Sequence, residues 1–291
     1  MLDRKTSETV QSLRLLMRSP LSAFGIIIVL GFFASAIVIS IVGPFILPYQ
    51  PNQINLANTL AFPSFAHPMG TDDFGRDVFS RILVSMPIDA TMSLSVVAIS
   101  IVLGLFFGTL AGYLGGKTDE LVMRTTDVFM AFPGIILALA IASALGPSVP
   151  HVAEALVAVW WPPYVRIARA ETLAIRENVY VLAARAAGQR TLTTIRRHVI
   201  PNILPPLIVY ATLDIGGVIL VASILSYLGL GAQPPTAEWG RMVFDTQDYL
   251  FSQWWLPMFP AIVILVTVLG FNLLGDGLRD MLDPKRRLSL R

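Results

Sequence analysis

From Leu21 to Leu47 the sequence carries no Asp, Glu, Lys or Arg, and comparable apolar runs return five more times. They cover about Thr91–Leu114, Val128–Leu145, Val152–Val165, Ile203–Leu228 and Leu256–Leu274. Stretches of this length with so few charges are suited to a lipid interior, where every backbone polar group must be satisfied within the segment. The pattern therefore predicts an all-α integral membrane protein with six spans. Overall, 14% of the 291 residues are charged and 55% hydrophobic; soluble domains are about a quarter charged. The first run begins after about twenty polar residues and is longer than a secretory signal, so it reads as a retained anchor. The chain has no cysteine, which removes disulfides, thiolate metal sites and Cys nucleophiles.

One stretch between two apolar runs cannot lie in lipid. Glu177–Asn202 carries Arg185, Arg190, Arg196, Arg197 and His198. Within it Ala183, Ala184, Ala186 and Ala187 favour a helix, and Gly188 suits the left-handed turn that ends one. A second helical run, Leu192–Val199, is expected to stop at Pro201. Two short helices joined at a glycine, with a basic rim, make a docking surface; an ordinary amphipathic connector would read the same way.

Charge sets the orientation. Eighteen of the 21 Lys and Arg fall on the side of the two termini, the turn after the second run, and the 177–202 loop with its flanks, which include Arg166, Arg169 and Arg176. Arg76, Arg81 and Arg241 fall on the other side. The positive-inside rule then places both termini and the 177–202 loop in the cytoplasm and the two long loops outside.

Further segments carry polar patterns. His67–Arg81, HPMGTDDFGRDVFSR, holds Asp72, Asp73 and Asp77 beside Arg76 and Arg81. The spacing does not match an EF-hand, so an exposed ion-paired turn is expected and no metal site. Asp119, Arg124 and Asp127 are expected to pair with one another at a helix corner. Asp276, Arg279, Asp280 and Asp283 read as solvated helix-end charges. The outer loop holds Trp239, Tyr249, Phe251, Trp254 and Trp255, either an interfacial aromatic belt or a platform for an external partner. Asp214 lies near the middle of the fifth run beside Gly216 and Gly217. An ionisable group there costs about 2.5–3.5 kcal/mol on insertion scales, so it faces either a translocation path or a neighbouring helix.

Several of these segments resemble one family, the binding-protein-dependent ABC importer permeases, and within it the C-type permease of oligopeptide, dipeptide and nickel systems. Tyr180, Val181, Ala183, Ala184, Arg185, Ala186, Gly188, Ile195, His198, Pro201 and Asn202 fall in register with the family's "EAA" loop. The runs HPMGTDDFGRDVFSR, YLGGKTDELVMRTTDVFMAFP (113–133), LSYLGLGAQPPTAEWG (225–240) and NLLGDGLRDMLDP (272–284) are similar to other family signatures. The sequence departs from the family at Leu182, where the motif has glutamate, at Ala222, where many relatives are acidic, and over Met86–Thr91.

The resemblance implies a type I importer permease fold, with residues 1–66 forming the tail, first helix and start of the external loop, and 67–291 the permease core. It implies an ATPase-coupling role for Ala183, Ala184, Arg185, Ala186, Gly188, Arg190, His198 and Pro201. Asp72, Asp73, Trp239, Trp254 and Trp255 become candidate contacts for a substrate-binding protein, and Asp214 a candidate for the path. The implied partners are a second, homologous permease, one or two ABC ATPase subunits, an extracytoplasmic binding protein, a peptide and membrane lipid, with no nucleic acid. No catalytic residue or bound cofactor is expected in this chain. No Walker A pattern occurs in the sequence, so ATP and Mg²⁺ belong to the ATPase partners. The implied location is the cytoplasmic membrane of a bacterium or archaeon. A gradient-driven transporter would carry several deep carboxylates or matched broken helices, and a membrane enzyme would pair a nucleophile with a base. Neither pattern is present. The resemblance implies import of oligopeptides or dipeptides, with nickel, another small chelate or a glutathione-like solute as the alternative cargo; His67, His151 and His198 are scattered, which fits nickel-chelate import poorly.

Overall fold

The computed structural model describes residues 19–282, and the elements among them are helices apart from one antiparallel bridge between Thr71 and Asp77. Arg4, Lys5, Arg14 and Arg18 of the basic tail, with Asp283, Pro284, Lys285, Arg286 and Arg287, lie outside the described residues. The order is α1 (Pro20–Ile46), α2 (Val78–Leu114), α3 (Gly116–Met130), α4 (Gly134–Leu145), α5 (Val149–Arg176), α6 (Val179–Ala186) and α7 (Thr191–Thr194). A π-turn over Ile195–Val199 leads into α8 (Ile200–Tyr227), followed by α9 (Trp239–Thr246) and α10 (Trp255–Leu282). α1 begins as expected for a capped helix, with the Ser19 hydroxyl accepting the Ser22 N–H and Pro20 in the first turn.

Among the described residues, four stretches are long and apolar enough to cross a membrane: Pro20–Gly43, Val78–Leu114, Thr191–Tyr227 and Trp255–Met281. α3 and α4 would make a fifth if counted as one span, although they meet at 85°. α5 does not qualify, because His151, Glu154, the Pro162–Pro163 pair and Arg166 dilute its apolar stretch. The sequence pattern of six apolar runs therefore resolves into four or five apolar spans plus the mixed helix α5.

Three boundaries differ from the sequence expectation. The second span starts at Val78 rather than Thr91, because Pro87 is carried inside α2. A proline removes one backbone bond, which a 37-residue helix held by tertiary packing tolerates. The stretch Lys117–Arg124 is not a turn but the first half of α3, and the break comes later, at Pro133. The third is Pro201, which does not end its helix. Ile200 N–H donates to the Ile195 carbonyl, five residues back. That wide turn relieves the clash between a proline ring and the preceding turn, so the helix runs on to Tyr227.

The chain divides into two compact units, and each has its own packing. The first comprises residues up to 94, 145–152 and from 212 onward. Its core joins Val29, Phe32 and Ala36 of α1 to Ala90, Ile219, Trp239, Ile264 and Phe271. A Cβ at Gly25 would collide with Leu273 and Leu274, so the bare glycine lets α1 and α10 approach closely. The second unit comprises 95–144 and 153–211. There Gly104, Gly108 and Gly112 share one face of α2 and receive Tyr164, Ala168 and Thr172 of α5.

Candidate functional site

α6 follows α5 after two residues and is built from the alanine-rich segment. Val181 is buried and anchors it, while Val179 is 83% exposed and Tyr180 and Leu182 also face outward. Ala183, Arg185 and Ala186 are exposed and Ala184 is half-buried. Gly188 has φ +76°, its N–H donates to the Arg185 carbonyl, and the Gln189 N–H donates to the Ala184 carbonyl. This is the expected left-handed helix end. A Cβ at Gly188 would meet nothing within 4 Å, so the requirement is one of backbone angle, not of space.

Arg190 then opens α7, and the exposed Leu192 adds a fourth apolar side chain to this surface. The rings of Tyr180 and the half-buried His198 lie 6.3 Å apart, which brings α6 and the π-turn together. Arg196, Arg197 and Pro201 are exposed, and the Asn202 amide donates to the His198 carbonyl. The result is an apolar knob of Val179, Tyr180, Leu182 and Leu192 amid Arg185, Arg190, Arg196 and Arg197. Such a surface can dock against a protein groove; it holds no pairing of nucleophile and base.

The support for α6 comes through α5. Arg169 reaches both oxygens of Asp119 at 2.5 and 2.6 Å, and Arg166 reaches Asp127 at 2.6 Å. Near the end of α5, Arg176 donates to the Gly112 carbonyl at 2.9 Å. The expected mutual pairing of Asp119, Arg124 and Asp127 is thus corrected: the two aspartates tie α3 to α5, and Arg124 pairs with Glu120. Arg166 and Arg169 were not singled out by sequence, since they lie 39 and 50 residues from their partners.

On the outer loop the expected contacts separate. Asp72 is 4% exposed, accepts from the Phe74 and Arg76 amides and from Arg76 Nε, and lies 3.8 Å from Arg81. It belongs to a buried ion-paired turn rather than an exposed one. Asp73 retains partial exposure, and burial together with neighbouring Asp72 pushes its carboxyl above the ordinary value. Asp77 holds His67 Nδ1 at 2.9 Å and accepts the Ser80 N–H.

Trp239 is 0% exposed: its ring packs on Phe32 and its N–H donates to the Ile82 carbonyl. That removes it from any docking surface. Trp255 is also buried, with Phe62 against it at 4.8 Å, whereas Trp254 and Phe251 are exposed. Of the five expected contacts, Asp73 and Trp254 therefore offer surface to a partner. Asp214 is half-buried on α8, and nearby Gly216 packs closely against Val268 and Phe271 of α10. Sequence reasoning also passed over Asp89 and Glu238, two fully buried acids. No local signal marks Asp89 as deep, because Pro87 beside it reads as a loop in the sequence.

Residues 100–288 match the family model described as "binding-protein-dependent transport system inner membrane component". The chain is 44% identical over 271 residues to the probable D,D-dipeptide transport system permease protein DdpC of Escherichia coli (strain K12), covering 93% of this chain and 90% of that one. It is 39% identical over 277 residues to the dipeptide transport system permease protein DppC of Alkalihalophilus pseudofirmus, covering 95% and 90% respectively. Among solved structures, an amino acid ABC transporter with histidines superposes with a TM-score of 0.53 at 17% identity, covering 68% of this chain and 92% of that one. At that identity the likeness is one of fold.

Proposed function

Because this chain belongs to the family of binding-protein-dependent transport system inner membrane components, we propose that it is the transmembrane permease subunit of an ATP-driven importer that carries dipeptides or oligopeptides across the cytoplasmic membrane. The observation that carries the reading is α6. It is a short helix with an outward apolar face and basic rim, placed between helices of a membrane protein and ended by a left-handed glycine. A groove on an ATPase subunit is the complementary partner for such a knob. The peptide assignment rests on the names of the two relatives.

In this reading a second, homologous permease completes the path, and one or two ATPase subunits hold ATP and Mg²⁺. An extracytoplasmic binding protein delivers the peptide, with Asp73 and Trp254 among its contacts. Both termini and α6 face the cytoplasm, as the distribution of Lys and Arg favours. Closure of the ATPases moves α6, and α5, fixed to α3 by the Arg166 and Arg169 pairs, carries the displacement onward as alternating access. Asp214 on α8 is the candidate for meeting a substrate amino group.

The test is purification of the tagged chain from its host in mild detergent, followed by reconstitution and uptake of a labelled dipeptide. Recovery of a second permease and a Walker A protein, with uptake that requires ATP and a binding protein, is expected. Recovery of this chain alone as a homo-oligomer, with uptake driven by an ion gradient, would overturn the reading.

A further inference from the structure

A groove of about 840 Å³ lies between the end of α1, the segment 47–53 that follows it, and α2. Ile39 and Gly43 line it from α1, Leu47 and Pro48 continue that wall past the helix end, and Val84 lines it from α2. Gly43 keeps it open. A Cβ there would meet only Ile39 of its own helix within 4 Å, so no neighbouring element fills the place that a side chain would take. The rest of the lining is polar. Tyr49, Gln50, Asn52 and Gln53 supply hydroxyl and amide groups, and among the described residues no carboxylate, lysine, arginine or histidine lines the groove.

The polar wall is held in place from behind. The Tyr49 N–H donates to Ser80 Oγ at 3.2 Å, and its ring lies 4.5 Å from that of His67. The Gln53 N–H donates to the Gln50 carbonyl at 3.1 Å and closes a turn. Arg81, itself buried, donates to the Pro51 carbonyl at 3.2 Å and to Asn52 Oδ1 at 2.9 Å. A guanidinium only donates, so the amide oxygen of Asn52 is committed to Arg81 and its NH₂ remains a donor. Gln50 and Gln53 are exposed, and each amide offers an acceptor and a donor. A wall fixed in advance loses little freedom on binding.

Depth identifies the occupant. α1 is long and apolar enough to cross a bilayer. At about 1.5 Å of rise per residue, Ile39 stands about 28 Å along the helix from Pro20, and Gly43 about 34 Å. The hydrocarbon core is about 30 Å thick, and with its headgroup layers the bilayer reaches about 40–45 Å. The groove therefore straddles the boundary between acyl chains and headgroups. Around it the exposed Ile41, Phe45 and Ile46 continue the lipid-facing side of α1, which carries Leu30 and Ile37. An apolar floor at acyl depth beneath a neutral, hydrogen-bonding wall at headgroup depth is complementary to one amphiphile.

We propose that this groove seats one membrane glycerophospholipid whose zwitterionic headgroup ends in a primary ammonium. An acyl chain lies against Ile39, Gly43 and Val84, and the headgroup lies at the wall of segment 49–53. The ammonium donates to the amide oxygens of Gln50 and Gln53, and the phosphate accepts from the Asn52 NH₂. An anionic headgroup would bring net charge to a lining without a cation. A trimethylammonium headgroup has no N–H to give the amides. The seated lipid fills the gap that Gly43 leaves between α1 and α2. The site requires only that α1 crosses a bilayer, and it is independent of the cargo.

The test uses the assembled transporter, purified in mild detergent and examined by native mass spectrometry. Wild type should keep one phosphatidylethanolamine per copy of this chain, and a photoactivatable phosphatidylethanolamine should label the peptides that contain Gly43 and Val84. Gly43→Leu fills the groove with a helix-forming side chain and should lose the bound lipid. The double variant Gln50→Ala, Gln53→Ala, altered at exposed positions, should retain the lipid about tenfold less well through two lost hydrogen bonds. In delipidated wild type, added phosphatidylethanolamine should raise the thermal midpoint more than phosphatidylglycerol or phosphatidylcholine does, and this difference should vanish in Gly43→Leu. Wild type without retained lipid, equal retention in Gly43→Leu, or equal stabilisation by phosphatidylglycerol would overturn the proposal. So would cross-links from a second permease to the same peptides in place of the lipid label, which would give the groove to that subunit. Should Gly43→Leu fail to accumulate, the label positions in wild type and the retention by the double variant decide.

Discussion

Asp72 shows how little a residue's type says about its task. As part of a run of three acids and two arginines on an outer loop it reads as solvated, yet it is nearly fully buried between Arg76 and Arg81. Removing one member of a buried charge group leaves the others uncompensated. Asp72→Ala should therefore cost about 3–5 kcal/mol, seen as a large drop in the thermal midpoint of the purified complex. Asp73→Ala, at a more exposed neighbour, should leave the midpoint almost unchanged; equal effects would mean that the turn is not held by Asp72. Trp239 makes the same point with a different side chain. Tryptophan near a membrane boundary usually marks the interface, but here Phe32 and Ile82 of distant segments enclose it. Nothing in the local sequence announces those partners.

At the scale of elements, legibility depended on whether a signal was local. α6 and its glycine end could be read in advance, because alanine propensity and a left-handed glycine act within a few residues. The start of α2 could not. Pro87 and Asp89 carry the local signature of a loop, and tertiary packing against Trp239 and Met242 overrides it. The ties from α3 to α5 were illegible for the same reason, since each joins residues far apart in sequence. Gly188 lends itself to a test at this scale. Because space around it is open, Gly188→Ala should cost about 1 kcal/mol of local helix-end stability through backbone strain alone. Gly188→Asn should cost less, since asparagine visits the left-handed region more readily. ATPase activity and dipeptide uptake measured side by side should show uncoupling in the order Val, Ala, Asn; uptake in Gly188→Val equal to that of wild type would show that the turn geometry does not matter for coupling.

For the whole molecule, orientation is the property that most of the function hangs on. Alkaline phosphatase fused after Ser64 should be active, because the loop carrying the fully exposed Phe65 is expected outside the cytoplasm. A fluorescent protein fused after Arg291 should mature inside; the reverse pair of results would invert the assembly and detach α6 from any cytoplasmic ATPase. The π-turn adds a consequence for how such a chain could arise. One turn closed over five residues instead of four is the geometric trace of a single extra residue within a regular helix. That extra residue sets the phase between the segment bearing α6 and the helix from Ile200 onward. Excising one residue between Ile195 and Val199 would restore the ordinary pitch and swing the preceding segment by about 100° while drawing it in by about 1.5 Å. The direction in which the docking knob points is thus written as an insertion, and one codon is enough to re-aim it.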